Sequence, residues 1–301
     1  MRDIVRDIDT REISETRAQR PEAIRDAAAS RRRGPRLAGD GRLMLVAADH
    51  PARGALGVRD VPRAMSNRRE LLSRLVEALS RPGMDGVLGS ADILEDLLLM
   101  DALEDKAVFA TMNRGGLMGS NFELDDRFTA YDAKKIDKMN FDGGKMLLRI
   151  DHQDRGTAST LEACGRHISA LAGRGLIAMV EPFISHRVDE RVKNDLNPDA
   201  VMLSMAIAAG LGNTSAYTWL KLPVVDDMER VMTAATLPTL LLGGDPTAAP
   251  DETYAKWATA LAQPGVIGLV VGRALLYPPD GDVTAAVDAA VRLVHGSGVD
   301  S

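Results

Sequence analysis

Residues 217–225 have the sequence YTWLKLPVV, an apolar and aromatic run that is interrupted by one lysine, Lys221. The run follows a polar turn, GNTS at 212–215, and is too short for a typical helix, so it predicts a buried β-strand. Such strands are usually covered on both faces in a parallel sheet, where a charged ammonium group is costly unless it is paired or neutralised. Lys221 is therefore the most unusual residue of this strand.

Lys221 admits two interpretations. Burial disfavours the charged form of a lysine, and a neutral amine is a nucleophile that can form a Schiff base with a carbonyl compound. Alternatively, Lys221 lies at the end of its strand and its ammonium group reaches water. The rest of the chain favours the first interpretation.

Short apolar runs recur from Arg42 onward and alternate with longer stretches of helical periodicity. The predicted strands are Leu43–Ala48, Gly86–Leu88, Ala107–Thr111, Met146–Ile150, Leu176–Val180, Trp219–Pro223, Thr239–Leu242 and Ile267–Val271. The helical stretches between them include Arg68–Leu79, Ile93–Leu103, Asp132–Met139, Thr160–Leu171, Asp199–Ala209, Met228–Ala235, Thr253–Ala262 and Val283–Val294. Eight strand–helix units in about 250 residues are typical of an α/β (β/α)8 TIM barrel, which we predict. A doubly wound sheet is the alternative, but eight regular units favour closure.

We divide the chain into three parts. Residues 1–41 form a helical N-terminal extension packed on the barrel, residues 42–296 form the barrel, and residues 297–301 are a tail. Within the extension we expect helical structure over Glu12–Arg33, packed on the outside of the barrel. We interpret Arg31–Arg33 as a solvated helix end rather than a binding patch.

The composition excludes several classes of protein. The chain has 301 residues, of which 45% are hydrophobic and 27% charged, as expected of a globular protein. A net charge of -6, with no basic stripe beyond the arginine-rich start, argues against a nucleic-acid partner. The one cysteine, Cys164, cannot form an internal disulfide and suits a reducing cytoplasm, where we place the protein. No run is long enough to span a membrane, so we expect no membrane association.

Polar residues follow several predicted strands, where the active site of a (β/α)8 barrel lies. Asp49 and His50 follow the first strand, and Glu181 follows the fifth. Glu181 comes one strand before Lys221, so its carboxylate can pair with that lysine and take part in proton transfer. The alternative for Glu181 is a salt bridge that closes the barrel layer.

A second lysine, Lys145, belongs to the segment DGGKMLLRID at 142–151. Side chains alternate along a strand, so Lys145, Leu147 and Arg149 share one face. If that face is the barrel interior, Lys145 or Arg149 points into the lumen. Both are candidate site residues.

Glycines follow the seventh and eighth predicted strands. Gly243 and Gly244 follow the seventh, and Gly272 and Arg273 follow the eighth. The loops after these two strands frequently bind phosphate, because glycines let backbone N–H groups approach the anion. Arg273 adds a positively charged fork. We therefore predict a phosphate site here.

We predict no metal site and no cofactor. The five histidines lack His-x-His and His-Glu-x-x-His spacing, and one cysteine cannot build a thiolate site. No Gly-x-Gly-x-x-Gly sequence opens a βα unit, and there is no Gly-x-Ser-x-Gly elbow.

These segments together resemble the class I (Schiff-base) aldolases of the tagatose-bisphosphate and archaeal-type fructose-bisphosphate group. More narrowly, the chain resembles deoxyribose-phosphate-aldolase-like barrels associated with inositol catabolism. The segments that carry the resemblance are VAADH at 46–50, DGGKMLL at 142–148, MVEP at 179–182, LKLP at 220–223, Gly243-Gly244 and Gly272-Arg273.

The resemblance implies a metal-independent aldehyde-lyase that acts on a phosphorylated keto-sugar or keto-sugar acid. A specific reaction it implies is cleavage of 2-deoxy-5-keto-gluconate 6-phosphate to dihydroxyacetone phosphate and malonate semialdehyde. Lys221 would form the Schiff base, Glu181 would shuttle protons, Lys145 would hold the proton balance, and Asp49 would orient Lys145 or the substrate. Related barrels commonly assemble, so we expect a homo-oligomer.

Two other functions stay open. A sugar-phosphate isomerase or epimerase would use Glu181 as a base and would need no Schiff base. A non-catalytic barrel would only bind a sugar phosphate. The candidate partners for a further anionic group are Arg53, Arg114, Arg149 and Arg187, and the sequence does not distinguish among them.

Overall fold

Eight parallel strands close into a barrel in the computed structural model, which describes residues 9–189, 191–244 and 250–296. The strands are β1 (Leu43–Ala48), β2 (Gly86–Gly89), β3 (Ala107–Thr111), β4 (Gly143–Ile150), β5 (Ile177–Val188), β6 (Arg191–Asn194), β7 (Thr218–Pro223), β8 (Thr239–Leu242) and β9 (Val266–Val271). Pairing of β1 with β9 closes the ring, and β6 pairs only with β5, in antiparallel orientation. The predicted (β/α)8 barrel is confirmed, and the doubly wound alternative is wrong.

Helices surround the barrel and precede it. They are α1 (Thr10–Gln19), α2 (Ala23–Ser30), α3 (Arg68–Leu79), α4 (Ala91–Leu99), α5 (Ala133–Lys138), α6 (Gly156–Ala172), α7 (Pro198–Ala209), α8 (Met228–Met232), α9 (Pro250–Leu261), α10 (Arg273–Leu276) and α11 (Val283–His295). Several begin at an Asn or Asp side chain that accepts a backbone N–H, among them Asn67, Asp132, Asn197 and Asp282. Within the described residues, no helix combines the length and the apolar character required to cross a membrane.

The strands separate two apolar cores by simple alternation. Leu45 packs inside the barrel, whereas its neighbour Val46 packs between the barrel and the helices. The interior core includes Trp219 and Phe109, whose ring centroids lie 6.1 Å apart. Lys221 follows Trp219 by two residues on β7, so it lies on the same interior face, one layer closer to the C-terminal ends of the strands.

Strand β5 is much longer than the predicted Leu176–Val180. Glu181 pairs in register with Leu147 of β4, and the parallel pairing continues to Ile184; from Ser185 onward β5 leaves the barrel and forms a hairpin with β6. Ser185 pairs with Asn194 there, and its hydroxyl donates a hydrogen bond of 2.9 Å to the Asn194 side chain. The polar sequence of this hairpin hides its strand character, and Glu181 therefore lies within a strand rather than after one.

The helical character expected over Glu12–Arg33 is confirmed, but it is divided between two helices. They are α1 and α2, with Pro21 in the break between them. Proline lacks a backbone N–H and disfavours helical geometry in the residue before it, so one continuous helix is interrupted at this point.

The interpretation of Arg31–Arg33 as a solvated helix end is wrong at Arg31, whereas Arg32 and Arg33 are exposed. Arg31 is buried and donates hydrogen bonds to the backbone carbonyls of Leu103, Lys106 and Asn140 at 2.7–3.1 Å. Arg33 pairs with the buried Asp142 at 2.7 Å. The carbonyls lie just before β3 and β4, where the barrel presents acceptors that need donors. The two arginines thus fasten the extension to the N-terminal end of the barrel.

The end of α11 is fastened to the same end of the barrel by His295. Its Nδ1 lies 2.7 Å from Asp40 Oδ2, and its Nε2 lies 3.0 Å from Asp85 Oδ2. Hydrogen bonding to Asp85 outweighs desolvation and, with the bond to Asp40, raises the pKa of His295 to about 9. Asp85 also accepts the backbone N–H of Met44, so this contact bridges α11, β1 and the residue before β2.

We expect this contact to make the stability of the fold depend on alkaline pH. The pKa of His295 is raised on folding, so its contribution is complete below the unfolded value of about 6.5 and is lost as pH rises through about 9. The wild type should lose about 2 kcal/mol of unfolding free energy between pH 7 and pH 9 relative to His295→Gln. Urea denaturation at both pH values measures this difference, with exposed His152→Gln as the control. Equal losses in His295→Gln and the wild type would contradict the assignment.

Candidate active site

A cavity of about 420 Å³ opens at the C-terminal ends of the barrel strands. All of the site residues predicted from the sequence line it: Asp49, His50, Lys145, Arg149, Glu181, Lys221, Gly243, Gly244, Gly272 and Arg273. They come from β1, β4, β5, β7, β8 and β9 or from the residues that follow these strands. The alternation that fills the barrel with apolar side chains thus ends in a polar layer at its mouth.

Two lysines share one carboxylate in this layer. Glu181 Oε1 lies 2.8 Å from Lys221 Nζ, and Glu181 Oε2 lies 2.5 Å from Lys145 Nζ. All three side chains are buried. They reach one another because β4, β5 and β7 are neighbours in the barrel and each directs the residue inward. The interpretation of Lys221 as a lysine that reaches water is wrong.

Asp49, which follows β1, extends this network to a fourth strand and to a loop. Its Oδ2 accepts a hydrogen bond of 3.2 Å from Lys145 Nζ and pairs with the guanidinium group of Arg114, which follows β3. Three cationic side chains thus surround the two carboxylates of Asp49 and Glu181. If all were charged, the buried cluster would carry one positive charge in excess, which low polarity penalises.

The pKa shifts show how this excess is resolved. Burial lowers the pKa of Lys145 well below its ordinary value, and the charges of Lys221 and Arg114 lower it further against the opposing attraction of Glu181. Burial alone would raise the pKa of Glu181, but the two adjacent lysines outweigh burial and lower it below its usual range. Glu181 is therefore ionised, and Lys145 loses its proton much more readily than an ordinary lysine.

His50 is a neutral imidazole at the edge of this cluster. Although 28% of its side chain is exposed, desolvation and the positive charges of Arg273, Lys221 and Lys145 lower its pKa to about 3. Its Nδ1 lies 3.8 Å from the nearer Asp49 oxygen and has no hydrogen-bond partner within the described residues. His50 lines the cavity as a neutral ring, so it can contact a ligand there without adding a positive charge.

The glycines after β8 and β9 permit close backbone approach. A Cβ atom on Gly272 would lie 2.7 Å from the carbonyl oxygen of Ala47, and one on Gly243 would lie 2.5 Å from the side chain of Val271. Gly244 has φ +71°, which larger residues rarely adopt. Substitution at these positions would reshape the wall of the cavity.

Lys256 of α9 lines the same side of the cavity as these glycines, and the sequence analysis missed it. Its helical position, beside the buried Trp257, is the signal that could have drawn attention to it, because a helix that anchors one residue in the core presents its neighbour at the rim. Within the described residues, no group of three or more His, Cys, Asp and Glu side chains is arranged to hold a metal ion.

Three of the four candidate arginines line the opposite side of the cavity. Arg149 pairs with Glu123 at 2.5 Å, Arg53 pairs with Asp126 at 2.7 Å, and Arg114 pairs with Asp49 as described. The fourth, Arg187, is absent from the described residues that line the cavity; it lies 3.7 Å from Asp154 and donates to the carbonyl of Asn121.

The sequence analysis also missed the buried acids Glu123 and Asp126. Both belong to the long irregular segment between β3 and α5, and such length is itself a signal of a functional loop.

Comparison with solved structures supports this architecture. The crystal structure of Cgl0159 from Corynebacterium glutamicum (Brevibacterium flavum) shares 54% sequence identity, with 95% of this chain and 96% of that chain covered and a TM-score of 0.93. An archaeal fructose 1,6-bisphosphate aldolase shares 18% identity over 91% of this chain and 99% of its own, with a TM-score of 0.68. A Schiff-base-forming fructose-1,6-bisphosphate aldolase shares 18% identity over 90% and 100%, with a TM-score of 0.66.

The similarity to the two aldolases shows a common fold. No curated protein sequence matches the chain significantly. The model of the Cgl0159-like family matches residues 41–291, which include the whole barrel from β1 to β9 and most of α11. With the high identity to the Corynebacterium protein, this match shows that the chain belongs to the Cgl0159-like family.

Proposed function

We propose that the protein is a class I aldolase that cleaves a phosphorylated keto-sugar or keto-sugar acid through a lysine Schiff base. The observation that carries this proposal is the buried carboxylate of Glu181 held between Lys145 and Lys221. A Schiff base needs a neutral amine, a group that takes its proton, and shelter from bulk water. The shared fold adds support, because one structural neighbour is an archaeal aldolase whose catalytic lysine is covalently bound to a carbinolamine intermediate.

Lys221 is the proposed nucleophile, and Lys145 the proposed proton acceptor. Lys221 Nζ transfers a proton through the Glu181 carboxylate to the neutral amine of Lys145, and its lone pair then attacks the substrate ketone to give a carbinolamine. The carbinolamine oxygen takes a proton back from Lys145 and leaves as water, so that an iminium ion forms on Lys221. The two short contacts of Glu181 provide the path for both transfers.

The iminium ion then accepts the electrons of the broken C–C bond. A hydroxyl group on the far side of that bond loses its proton through the Glu181 carboxylate to the neutral amine of Lys145. The carbon that carried this hydroxyl becomes an aldehyde, and an enamine remains on Lys221. Protonation of the enamine and addition of water release the ketone fragment and the free amine. Asp49, fixed by Arg114 and Lys145, orients the groups that take part, and neutral His50 can contact the substrate without adding a positive charge.

The substrate phosphate is placed against Gly243, Gly244, Gly272 and Arg273. Backbone N–H groups at such glycines, together with a guanidinium group, suit a phosphate dianion. The volume of about 420 Å³ lies in the range of small-molecule sites. Within this class we propose 2-deoxy-5-keto-gluconate 6-phosphate as the substrate, cleaved to dihydroxyacetone phosphate and malonate semialdehyde, and a role in inositol catabolism.

The isomerase or epimerase alternative is disfavoured by the charge state of Glu181. Such an enzyme would use Glu181 as its base, but the adjacent lysines lower the pKa of this carboxyl group, and a lower pKa makes a weaker base. A purely binding function does not explain why the buried Glu181 contacts both Lys145 and Lys221.

Borohydride trapping tests the nucleophile. Reduction in the presence of dihydroxyacetone phosphate should fix one adduct per chain, and mass mapping should locate it at Lys221. Lys221→Met should abolish both the adduct and aldol cleavage, whereas Lys135→Met, on the exposed face of α5, should behave as wild type. An adduct on Lys145 would reverse the two roles, and active protein without any adduct would overturn the mechanism.

Lys145→Met tests the proton acceptor. Without this amine, Lys221 must release its proton to solvent, so we expect turnover to fall about 100- to 10,000-fold while the adduct still maps to Lys221. Single-turnover trapping rates and peptide mapping measure the two effects separately. Turnover within a few-fold of wild type would show that Lys145 has no part in proton transfer.

A further inference from the structure

The two sides of the cavity carry different charge patterns. Strand β9 lies opposite β4 in the ring, and β8 lies opposite β3. On the β8–β9 side, the described lining residues include Lys256 and Arg273 and no carboxylate. On the β3–β4 side, Arg53, Arg114 and Arg149 lie among carboxylates. A ligand that spans the mouth therefore meets two distinct environments.

Arg53 is used by the loop that follows β3. Its NH1 pairs with Asp126 at 2.7 Å and donates to the carbonyl of Gly116 at 2.7 Å, and its NH2 donates to the carbonyl of Asn113 at 3.0 Å. Its own carbonyl accepts the N–H of Met118. These contacts hold the loop in place and leave Arg53 as a structural residue.

Arg114 and Arg149 keep hydrogen-bond donors unused. Each is more than nine-tenths buried and lines the cavity. The hydrogen bonds that they donate within the described residues, one from Arg114 and two from Arg149, leave other N–H groups of each guanidinium without an acceptor. Buried guanidinium donors without partners are costly, and a ligand that accepts from them removes that cost. Burial, followed by the charge of Arg53, lowers the pKa of Arg149, which indicates that the positive charges on this side repel one another.

The existing charges favour a carboxylate over a phosphate here. Asp49, Glu123 and Asp126 already pair with the three arginines, so this side has little surplus positive charge for a phosphate, whose charge is about -1.5 to -2. The remaining N–H donors of the two guanidinium groups suit the two oxygens of a carboxylate. The β8–β9 side, where glycines lie beside Lys256 and Arg273, suits the dianion better.

We propose that Arg114 and Arg149 form a carboxylate subsite opposite the phosphate loops. This inference rests on the proposed aldolase function and narrows its substrate to a phosphorylated keto acid with anionic groups at both ends. Lys221 comes from β7, which lies between β8 and β4 in the ring. Cleavage at its Schiff base therefore leaves the phosphate on the ketone fragment and the carboxylate on the aldehyde fragment.

The synthetic direction of the reaction tests the subsite. Dihydroxyacetone phosphate serves as donor with one of three acceptors: malonate semialdehyde, the neutral 3-hydroxypropanal of equal length, or glyceraldehyde 3-phosphate. We expect the wild type to show a kcat/KM for malonate semialdehyde about 100-fold above that for 3-hydroxypropanal, because buried N–H donors are left unpaired by the neutral acceptor. A higher value for glyceraldehyde 3-phosphate would overturn the assignment to a carboxylate.

Variants connect the preference to the arginines. Arg149→Leu should reduce the kcat/KM ratio of the charged to the neutral acceptor about 100-fold, and Arg149→Lys should give an intermediate ratio because it keeps the charge without the planar fork. Arg187→Leu is the matched control, since Arg187 lies outside the described cavity lining, and it should retain the wild-type ratio. An unchanged ratio in folded Arg149→Leu would overturn the proposal.

A measurement on the wild type covers the case in which the variants do not fold. Malonate should compete with malonate semialdehyde but not with dihydroxyacetone phosphate. Competition with the donor instead would place the carboxylate in the phosphate loops and overturn the subsite. Failure of this inference is distinct from failure of the proposed function: an aldolase without the subsite still gives the borohydride adduct, whereas a protein that is not an aldolase gives none.

Discussion

The burial of two lysines inside a parallel barrel is the constraint on which the rest of the site depends. A buried ammonium group is strongly destabilising without a partner, and one carboxylate cannot compensate two such groups in full. Glu181 contacts both lysines, Asp49 contacts Lys145, and Arg114 holds Asp49. The arrangement is tolerable when one lysine is neutral, so the cost of burial is converted directly into a reactive amine. Desolvation, together with the positive charges of Arg273, Lys221 and Lys145, lowers the pKa of His50 and keeps its ring neutral.

Much of the barrel could be predicted because the burial of each strand is determined by the few consecutive residues that form it. Fully buried parallel strands read as short apolar runs, and β1, β3 and β8 have the predicted bounds. The site followed from the same pattern, since a charged residue in or just after such a run points either into the mouth of the barrel or into a core that cannot accept it. Lys145 illustrates the limit: alternation placed it on one face, but only the closed ring shows that this face is the interior.

The features that escaped prediction depend on partners far away in the sequence. In the sequence Arg31 is indistinguishable from other arginines at helix ends. Its burial depends on the carbonyls of Lys106 and Asn140, which belong to two later segments that only the fold brings close. Glu123 lies in an irregular loop whose path is determined by backbone contacts, so its burial could not be predicted from a periodic sequence pattern. The hairpin of β5 and β6 carries polar residues on both strands, and its strands exist because they pair with each other outside the core.

The N-terminal extension and α11 both contact the N-terminal end of the barrel, and this has a consequence for the order of folding. Arg33 reaches Asp142, 109 residues later, and His295 reaches Asp40 across 255 residues. During synthesis the extension is made before the barrel, yet Asp142, which pairs with Arg33, is added only 109 residues later. Helix α11 can dock only after all the barrel strands have been made. Contacts of such long range form late in folding. The N-terminal extension and α11 therefore dock after the strands between them have begun to form the barrel, and their contacts stabilise it.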